Sequence, residues 1–329
     1  MTVRLSFCIP TRNRGDFIGE CLNSILNQSG DAVEMVVVDG ASTDNTSKII
    51  GELQKRYPRL RYYYKTQNGG VDADLAEAVA LASGEYCWLM SSDDMLVDGA
   101  VDRMLQEIDS GCGVYLCNRI DCTKEMHPLS EQHWLPQSYD GQCIDLSSST
   151  GINSYLDTCT TLGGLFSYVP SVVVNRAAWL AVKDADVFYG THYAHVPRLF
   201  SLLRSGGGLK YLSTPLVLCR MDNDSFSDKG LVHRYMIDYK GYYKISNALF
   251  NDDEITRKKF LKVIRKEHRW YRLLVLRSHM QGQQEWDCYV ELLRSFGYAS
   301  YLLLICGYLG GLKGLVKWAV RTRRAIARY

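Results

Sequence analysis

Three places in this chain put carboxylates where they could do chemistry. The densest is Ser91-Ser92-Asp93-Asp94, two adjacent acids and two hydroxyls directly after an apolar run. Acids in this arrangement can hold a hard divalent cation and, through it, a diphosphate. The second place is Asp39 with the turn-forming Gly40-Ala41-Ser42-Thr43-Asp44-Asn45-Thr46 behind it, and the third is Asp72 and Asp74 after Gly69-Gly70. Each acid also has an ordinary structural use. Asp93 or Asp94 can cap a helix from about Val97, Asp39 can close an Asx turn, and Asp72 or Asp74 can cap the helix beginning near Leu75.

The elements around them narrow the choice. Residues 86–90 are a short, almost wholly apolar run, which is how a strand covered on both faces reads; 5–9 is a buried-strand run as well, 34–38 is the most strongly β-branched stretch in the chain, and 60–64 reads as a third strand. Between them, Phe17, Ile18, Leu22, Ile25 and Leu26 follow a helical period, as do Ile49, Ile50 and Leu53, and then Leu75, Val79 and Leu81. Asp44 or Thr43 suits the cap of the second helix. Strands alternating with helices predict an α/β fold with a doubly wound, mostly parallel sheet and helices on both faces. The acids then fall at the C-terminal ends of strands, where open α/β sheets place their ligands. A dinucleotide-binding domain would need a Gly-rich turn directly after the first strand, and Pro10-Thr11-Arg12-Asn13-Arg14-Gly15 is not one.

Composition bounds the remainder. With 329 residues, 47% hydrophobic and 22% charged, the chain can bury a large core and is not a disordered protein. A net charge of +2 gives no overall nucleic-acid signature. The 11 cysteines lack C-x-x-C pairs; Cys112, Cys117 and Cys122 recur at five-residue intervals, but with His127 they do not make the tight pairs of a zinc site. Reduced thiols in a cytosolic protein are expected. The first residues run straight into a strand, so no export signal is expected.

Three blocks now carry a resemblance. Ser6-Phe7-Cys8-Ile9-Pro10-Thr11-Arg12-Asn13-Arg14, Val36-Val37-Val38-Asp39-Gly40-Ala41-Ser42-Thr43-Asp44-Asn45-Thr46, and Ala80-Leu81-Ala82-Ser83-Gly84-Glu85-Tyr86 leading to Ser92-Asp93-Asp94 resemble the family 2 glycosyltransferases of the GT-A fold in order and spacing. The match covers roughly the first third of the chain. Gly69-Gly70-Val71-Asp72-Ala73-Asp74, followed by Gly84-Glu85-Tyr86-Cys87-Trp88-Leu89, further resembles a bacterial O-antigen subgroup that includes the abequosyltransferases, which use a CDP-linked dideoxyhexose.

This resemblance implies a metal-dependent transfer of a sugar from a nucleoside diphosphate, with Mn2+ or Mg2+ as cofactor. It implies that Pro10, Thr11, Arg12, Asp39, Asp72 and Asp93 hold the nucleotide sugar and that Asp94, with Asp93, holds the metal. The residue chemistry agrees. Thr11 and Asp39 would meet the nucleobase, a carboxylate being suited to accept from a ring N–H or amino group, and Asp93 would face the ribose. Asp72 is the candidate for the donor sugar's hydroxyls. Asp94 would bind the cation that neutralises the departing nucleoside diphosphate, which makes it a catalytic residue.

The pattern is incomplete further on. An inverting member of the family needs a base for the acceptor hydroxyl, and the corresponding region, Gly190-Thr191-His192-Tyr193-Ala194-His195-Val196-Pro197, shows no obvious acid. His192 and His195 are the candidates, since imidazole titrates near neutrality, and either can equally shape the acceptor pocket. Asp184 and Asp186 are further candidates. A retaining mechanism would also explain a missing base. The irregular, polar segment 121–149 is a candidate acceptor loop, and Gly163-Gly164 could let backbone approach the sugar.

Strands are expected at 111–117, 171–174 and 211–219, with a helix over 97–108 between the acids and the first of these. After the last strand, Arg220-Met221-Asp222-Asn223-Asp224-Ser225-Phe226-Ser227 either closes over the diphosphate, with Arg220 on phosphate oxygens, or is a plain surface loop.

Residues 252–280 read as helix, and 295–312 contains no charge, the lower edge of a membrane-spanning length. Gly297, Gly307, Gly310 and Gly311 argue against a clean span. Lys313, Lys317, Arg321, Arg324 and Arg328 then share one face of a helix, with Leu312, Leu315, Val316, Ala319 and Ile326 on another and Arg323 off pattern. Such a helix suits an anionic membrane surface or a helical bundle.

The expected organisation is a catalytic domain over 1–230 and a helical, membrane-associating extension over 231–329. The expected activity is transfer of abequose or a related dideoxyhexose from a CDP-sugar to a polyprenyl-diphosphate-linked oligosaccharide in O-antigen lipopolysaccharide synthesis, at the cytoplasmic face of a bacterial inner membrane. The alternatives are another UDP-, GDP- or dTDP-sugar donor, or a catalytically inactive membrane-bound assembly partner. A sugar-nucleotide pyrophosphorylase would need a Gly-rich basic loop after the first strand, and none is present.

Overall fold

The computed structural model describes residues 2–223 and 229–310. Over residues 5–89 strands and helices alternate strictly: β1 (Leu5–Thr11), α1 (Ile18–Leu26), β2 (Val33–Asp39), α2 (Thr46–Gln54), β3 (Leu60–Tyr64), α3 (Val71–Leu81) and β4 (Tyr86–Leu89). There follow β5 (Met95–Leu96), α4 (Ala100–Glu107), β6 (Val114–Cys122), β7 (Pro128–Gln132), β8 (Cys143–Ile144), α5 (Ser149–Thr158), β9 (Val172–Asn175), α6 (Arg176–Ala181), α7 (His195–Leu202) and β10 (Leu209–Arg220).

One sheet holds all ten strands, in the order β3-β2-β1-β4-β9-β6-β10-β5, with β7 added to β6 and β8 to β10. The longest pairings, β1 with β2 and β6 with β10, are parallel, as are β2 with β3 and β1 with β4. Every residue of β1, β2 and β4 is buried, which is why the sequence there is nearly all apolar. Phe7 stacks on Trp88 with ring centroids 5.2 Å apart, joining β1 to β4, while Ile18, Cys21, Leu22 and Ile25 cover the same face from α1.

The topology explains where a ligand can go. β2 and β3 are laid down on one side of β1 and β4 on the other, so a crevice opens outside the strand ends at the β1/β4 switch. Register sets Thr11 beside Asp39 and Cys8 beside Leu89, so the ends of β1, β2 and β4 face one edge. The antiparallel pairing of Met95 with Leu218 brings Asp94 beside Arg220 at the end of β10.

Several expectations are refined here. β9 is antiparallel to both β4 and β6, and the 121–149 segment, read as irregular, contains the edge strand β7 and the two-residue β8. β7 is exposed at most positions and starts on Pro128, so it carries neither the apolar run nor the alternation that marks a strand.

Contacts divide the chain into two units, 1–223 and 224–329. In the second, the helices are α8 (Gly230–Leu249), α9 (Glu254–Glu267), α10 (Trp270–Ser278), α11 (Gly282–Ser295) and α12 (Ser300–Gly310). The single helical region read over 252–280 is broken between α9 and α10, where the His268 ring meets the buried Asp238 carboxylate at 2.7 Å and Tyr235 and Tyr239 pack on the imidazole. The uncharged 295–312 stretch is broken at Gly297, whose φ of +80° ends α11. No helix among the described residues is long and apolar enough to cross a membrane. Residues 224–228 of the loop after Arg220, and the basic helix expected over 313–328, lie outside the described residues.

Candidate active site

The loops after β1 and β2 lock onto each other. Asn13, at φ +51°, donates its N–H to Ser42 Oγ at 2.8 Å and accepts from Thr43 N at 2.8 Å. Arg14 N donates to Thr46 Oγ1 and Gly15 N to Asp44 Oδ2 at 3.0 Å. A Cβ on Gly15 would fall 1.7 Å from Asn45 Oδ1, so a larger residue there would have to displace the Asn45 side chain. These contacts fix the ends of β1 and β2 that carry Thr11 and Asp39.

Asp39 is wholly buried, its Oδ1 accepting from Ser42 N at 2.7 Å and its Oδ2 from the Tyr62 hydroxyl at 2.7 Å. Burial, then the hydrogen bond to Asp39 and its charge, push the Tyr62 phenol well up, so Tyr62 stays a donor. Thr11 is 3% exposed and its Oγ1 has no hydrogen-bond partner. An orphaned buried hydroxyl at a strand end is an unused recognition group. Pro10 is buried beside it in β1, while Arg12 lies exposed at the start of the loop.

The acids after β4 share one turn. Asp94 is 4% exposed; its Oδ2 accepts from Ser91 Oγ at 2.6 Å and from the Tyr168 hydroxyl at 2.8 Å, and its Oδ1 from Arg220 N at 2.8 Å. Burial, reinforced by the charge of Asp93, raises its pKa to about 6 against those three hydrogen bonds. Asp93 accepts from Asn223 Nδ2 at 2.7 Å and lies 3.6 Å from Arg14 Nε; burial also raises its pKa. Arg220 is committed to protein partners: Nε donates to Asp93 O, Nη1 to Lys124 O and Nη2 to Glu20, and its guanidinium lies over the Phe17 ring. It braces the Asp93-Asp94 turn from behind.

Two adjacent carboxylates pushed toward protonation by burial, Asp94 also by the charge of Asp93, fit a cation, whose charge would relieve both. Among the described residues no three His, Cys, Asp or Glu converge to cage a metal. The donor set therefore fits an ion held by one or two carboxylates and completed by phosphate oxygens of a bound nucleotide, the usual way Mg2+ is bound.

Asp72 turns elsewhere. Its Oδ2 accepts from Gly190 N and His192 N at 2.9 Å each and its Oδ1 from Ala194 N at 3.2 Å, so both oxygens hold the 190–194 loop. That loop is conformationally demanding, with φ of +86° at Gly190 and +65° at His192. Asp74 pairs with Lys65 at 2.8 Å and packs on Gly40, where a Cβ would meet its Oδ2 at 2.6 Å. His195 is buried and its ring Nε2 lies 2.7 Å from Phe166 O. A carbonyl only accepts, so Nε2 carries the proton, and burial lowers the pKa so that the ring stays neutral. Asp186 is mostly exposed and 3.6 Å from Arg198, and Asp184 sits at φ +57° before a short turn.

Sequence reasoning missed the residues that surround Asp94. Tyr168 reaches it across 74 positions, Arg119 stacks 4.3 Å from the Tyr168 ring centroid and 5.5 Å from that of Trp134, and Glu20 anchors Arg220 across 200 positions. None carries a local signal, because the contacts arise only when β6, β9 and β10 assemble.

The doubly wound, mostly parallel sheet is that of the GT-A glycosyltransferases, and residues 6–167 match the family described as Glycosyl transferase family 2. The chain belongs to that family and is a glycosyltransferase. It is 33% identical over 290 residues to abequosyltransferase RfbV of Salmonella typhimurium, covering 86% of both chains. In fold it is similar to S. aureus TarS 1–349 in complex with UDP, with a TM-score of 0.62 and 16% identity over 97% of this chain and 92% of that one. It is also similar to the mannosyltransferase PcManGT from Pyrobaculum calidifontis in complex with GDP-Man and Mn2+, with a TM-score of 0.53 and 13% identity over 96% and 88% of the two chains.

Proposed function

We propose that this glycosyltransferase moves abequose or a closely related dideoxyhexose from a CDP-sugar to a polyprenyl-diphosphate-linked oligosaccharide during synthesis of a surface polysaccharide. The observation that carries the sugar class is the 33% identity to an abequosyltransferase over 86% of both chains. The buried, adjacent acids after β4 support the chemistry.

The nucleobase sits against Asp39 and Thr11, whose orphaned Oγ1 gains a partner there, with Pro10 and Arg12 framing the pocket. Asp93 takes the ribose. Asp94, with Asp93, holds Mn2+ or Mg2+, and the bound ion supplies charge neutralisation to the departing diphosphate. Tyr168, Ser91 and Arg220 N fix the Asp94 carboxylate, so little reorganisation is needed as charge develops. Arg220 thus acts on the diphosphate through the Asp93-Asp94 turn.

Asp72 acts by holding the 190–194 loop against the site, and His192 on that loop takes the acceptor proton. His195, neutral and bound to Phe166 O, shapes the pocket. We assign the catalytic domain to 1–230 and membrane attachment to 231–329, at the cytoplasmic face of the inner membrane. Tyr301, Leu304, Ile305, Tyr308 and Leu309 lie exposed at helical spacing on α12, an apolar face suited to lipid.

The test is a thermal-stabilisation panel of CDP, UDP, GDP and dTDP, each with and without Mn2+, on the wild type and on Asp94→Asn. A ligand that binds only the native state raises the midpoint with the logarithm of its excess. CDP with metal giving the largest gain, and Asp94→Asn removing the metal's part of it, is expected. A larger gain with another nucleotide overturns the sugar assignment. Binding without turnover of any nucleotide sugar would favour an inactive assembly partner.

A further inference from the structure

All eleven cysteines are free thiols. Most are single and enclosed; Cys8 hydrogen-bonds with Cys87 deep in the sheet, and a second pair meets beside β8. Cys112 Sγ lies 2.8 Å from Cys143 Sγ, across 31 positions of sequence. Cys112 is buried and Cys143 is exposed, so the pair couples an inner sulfur to one on a residue at the surface.

The backbone around them is well held. Cys112 leads into β6, where Val114 N donates to Gly208 O at 3.1 Å. Cys143 opens β8 and pairs antiparallel with Lys210 of β10. Gly208, at φ +65°, lies under both: a Cβ there would sit 2.9 Å from Cys143 Sγ and 4.0 Å from Cys112 Sγ. The sulfurs thus stand less than about 1 Å beyond bonding distance, on segments tied to one sheet. Cys8 and Cys87, by contrast, are wholly buried in β1 and β4.

We propose that Cys112 and Cys143 form an oxidation site, closed to a disulfide by a peroxide. Peroxide takes the Cys143 sulfur to a sulfenic acid and releases one water; Cys112 sulfur then attacks that sulfur, and the S–OH oxygen leaves with the thiol proton as a second water. Two thiols and one peroxide give one disulfide and two waters. Burial, then the hydrogen bond with Cys112 and its charge, raise the Cys143 thiol to about 11, so the reaction is slow at neutrality and quickens as pH rises. The bond encloses residues 113–142, which include β7 and Trp134 next to Arg119 and Tyr168, and it fixes β8 to the start of β6. Oxidation therefore restrains the segment that carries Trp134.

The experiment uses the full chain, freed of reductant and exposed to hydrogen peroxide at pH 7 and pH 9, then alkylated and digested without reduction for mass spectrometry. A Cys112–Cys143 cross-linked peptide is expected, formed faster at pH 9. It should be accompanied by loss of two of the eleven titratable thiols and a rise of about 5 °C in thermal midpoint that dithiothreitol reverses. Cys143→Ser should keep the midpoint of the reduced wild type and show neither the peptide nor the rise. Recovery of Cys143 as an alkylated thiol or a sulfinic acid with Cys112 unlinked overturns the proposal, as does equal cross-linking among the other cysteines. None of these readouts requires a sugar donor, so the outcome is separable from that of the nucleotide panel.

Discussion

The Tyr168 hydroxyl donates to Asp94 Oδ2 at 2.8 Å, and Arg119 lies 4.3 Å over the same tyrosine ring. A cation stacked on the phenol and a carboxylate at its hydroxyl hold Tyr168 from both sides. Tyr168→Phe keeps the ring and removes one of three donors to Asp94. The fold should lose about 1 kcal/mol. The larger effect should fall on metal: the Mn2+ concentration that half-saturates nucleotide-dependent stabilisation should rise several-fold, while nucleotide binding without metal stays as in the wild type. Equal Mn2+ midpoints for the two proteins would rule out a positioning role for Tyr168.

The raised pKa of Asp94 makes stability depend on pH with a definite sign. In the folded chain Asp94 titrates at about 6, above the ordinary carboxylate value of 3.8, so between those values the folded state binds the proton that the unfolded state has released. Stability from this group is therefore greatest below the unfolded value and declines as pH rises through about 6. Asp94→Asn removes the ionised form, so the midpoint difference between variant and wild type should be more positive at pH 7.5 than at pH 4.5. Metal binding to the wild type should strengthen over the same rise, since proton and cation compete for one carboxylate. Ligand-free protein and a differential scan suffice, and a pH-independent difference would show that Asp94 does not titrate in this window.

Asp72 and His192 give a different pattern. Asp72→Ala strips three backbone N–H groups at 190, 192 and 194 of their acceptor, a loss of about 1–3 kcal/mol if they remain buried and unsatisfied. Because Asp72 is spent on the loop, nucleotide stabilisation should survive while transfer to acceptor falls. His192→Ala should leave both folding and nucleotide binding intact and lower kcat by about 10²–10⁴. A His192→Ala enzyme that keeps wild-type kcat would remove it as base and strengthen the case for a retaining mechanism.

How far the sequence reveals this site depends on the range of the contacts. β1, β2 and β4 could be read within one or two residues because strands covered on both faces are nearly all apolar, the half-buried edge strand β3 was read at its bounds, and their order placed Thr11, Asp39, Asp93 and Asp94 at one edge. What escaped were contacts set by later pairing. Nothing near Tyr168 marks it as a partner of Asp94, and nothing near Asp72 shows that the N–H groups donating to it lie beyond position 189. β9 reads as a strand from Val172, Val173 and Val174, but its antiparallel direction depends on the path of the intervening chain. The exposed α12 face was hidden in composition: 295–312 carries no charge to mark a solvent side, and the break at Gly297 separates a helix end from a helix with an open apolar side.

That open side leads to the last prediction. Leu304 and Tyr308 are 73% and 78% exposed and lie one turn apart on α12, with Tyr301 and Ile305 beside them. A contiguous apolar face of this kind is unfavourable in water and favourable at a lipid interface, where burying each large side chain contributes about 1.5–3 kcal/mol. The double variant Leu304→Asp with Tyr308→Asp replaces both by charges on an already solvated face, so folding should be nearly unaffected. It should lose cosedimentation with vesicles containing anionic lipid by at least about tenfold while keeping the CDP and Mn2+ stabilisation of the wild type. Retained vesicle binding by this variant would move the attachment away from α12, and loss of nucleotide stabilisation together with vesicle binding would mean that the substitutions had disturbed folding.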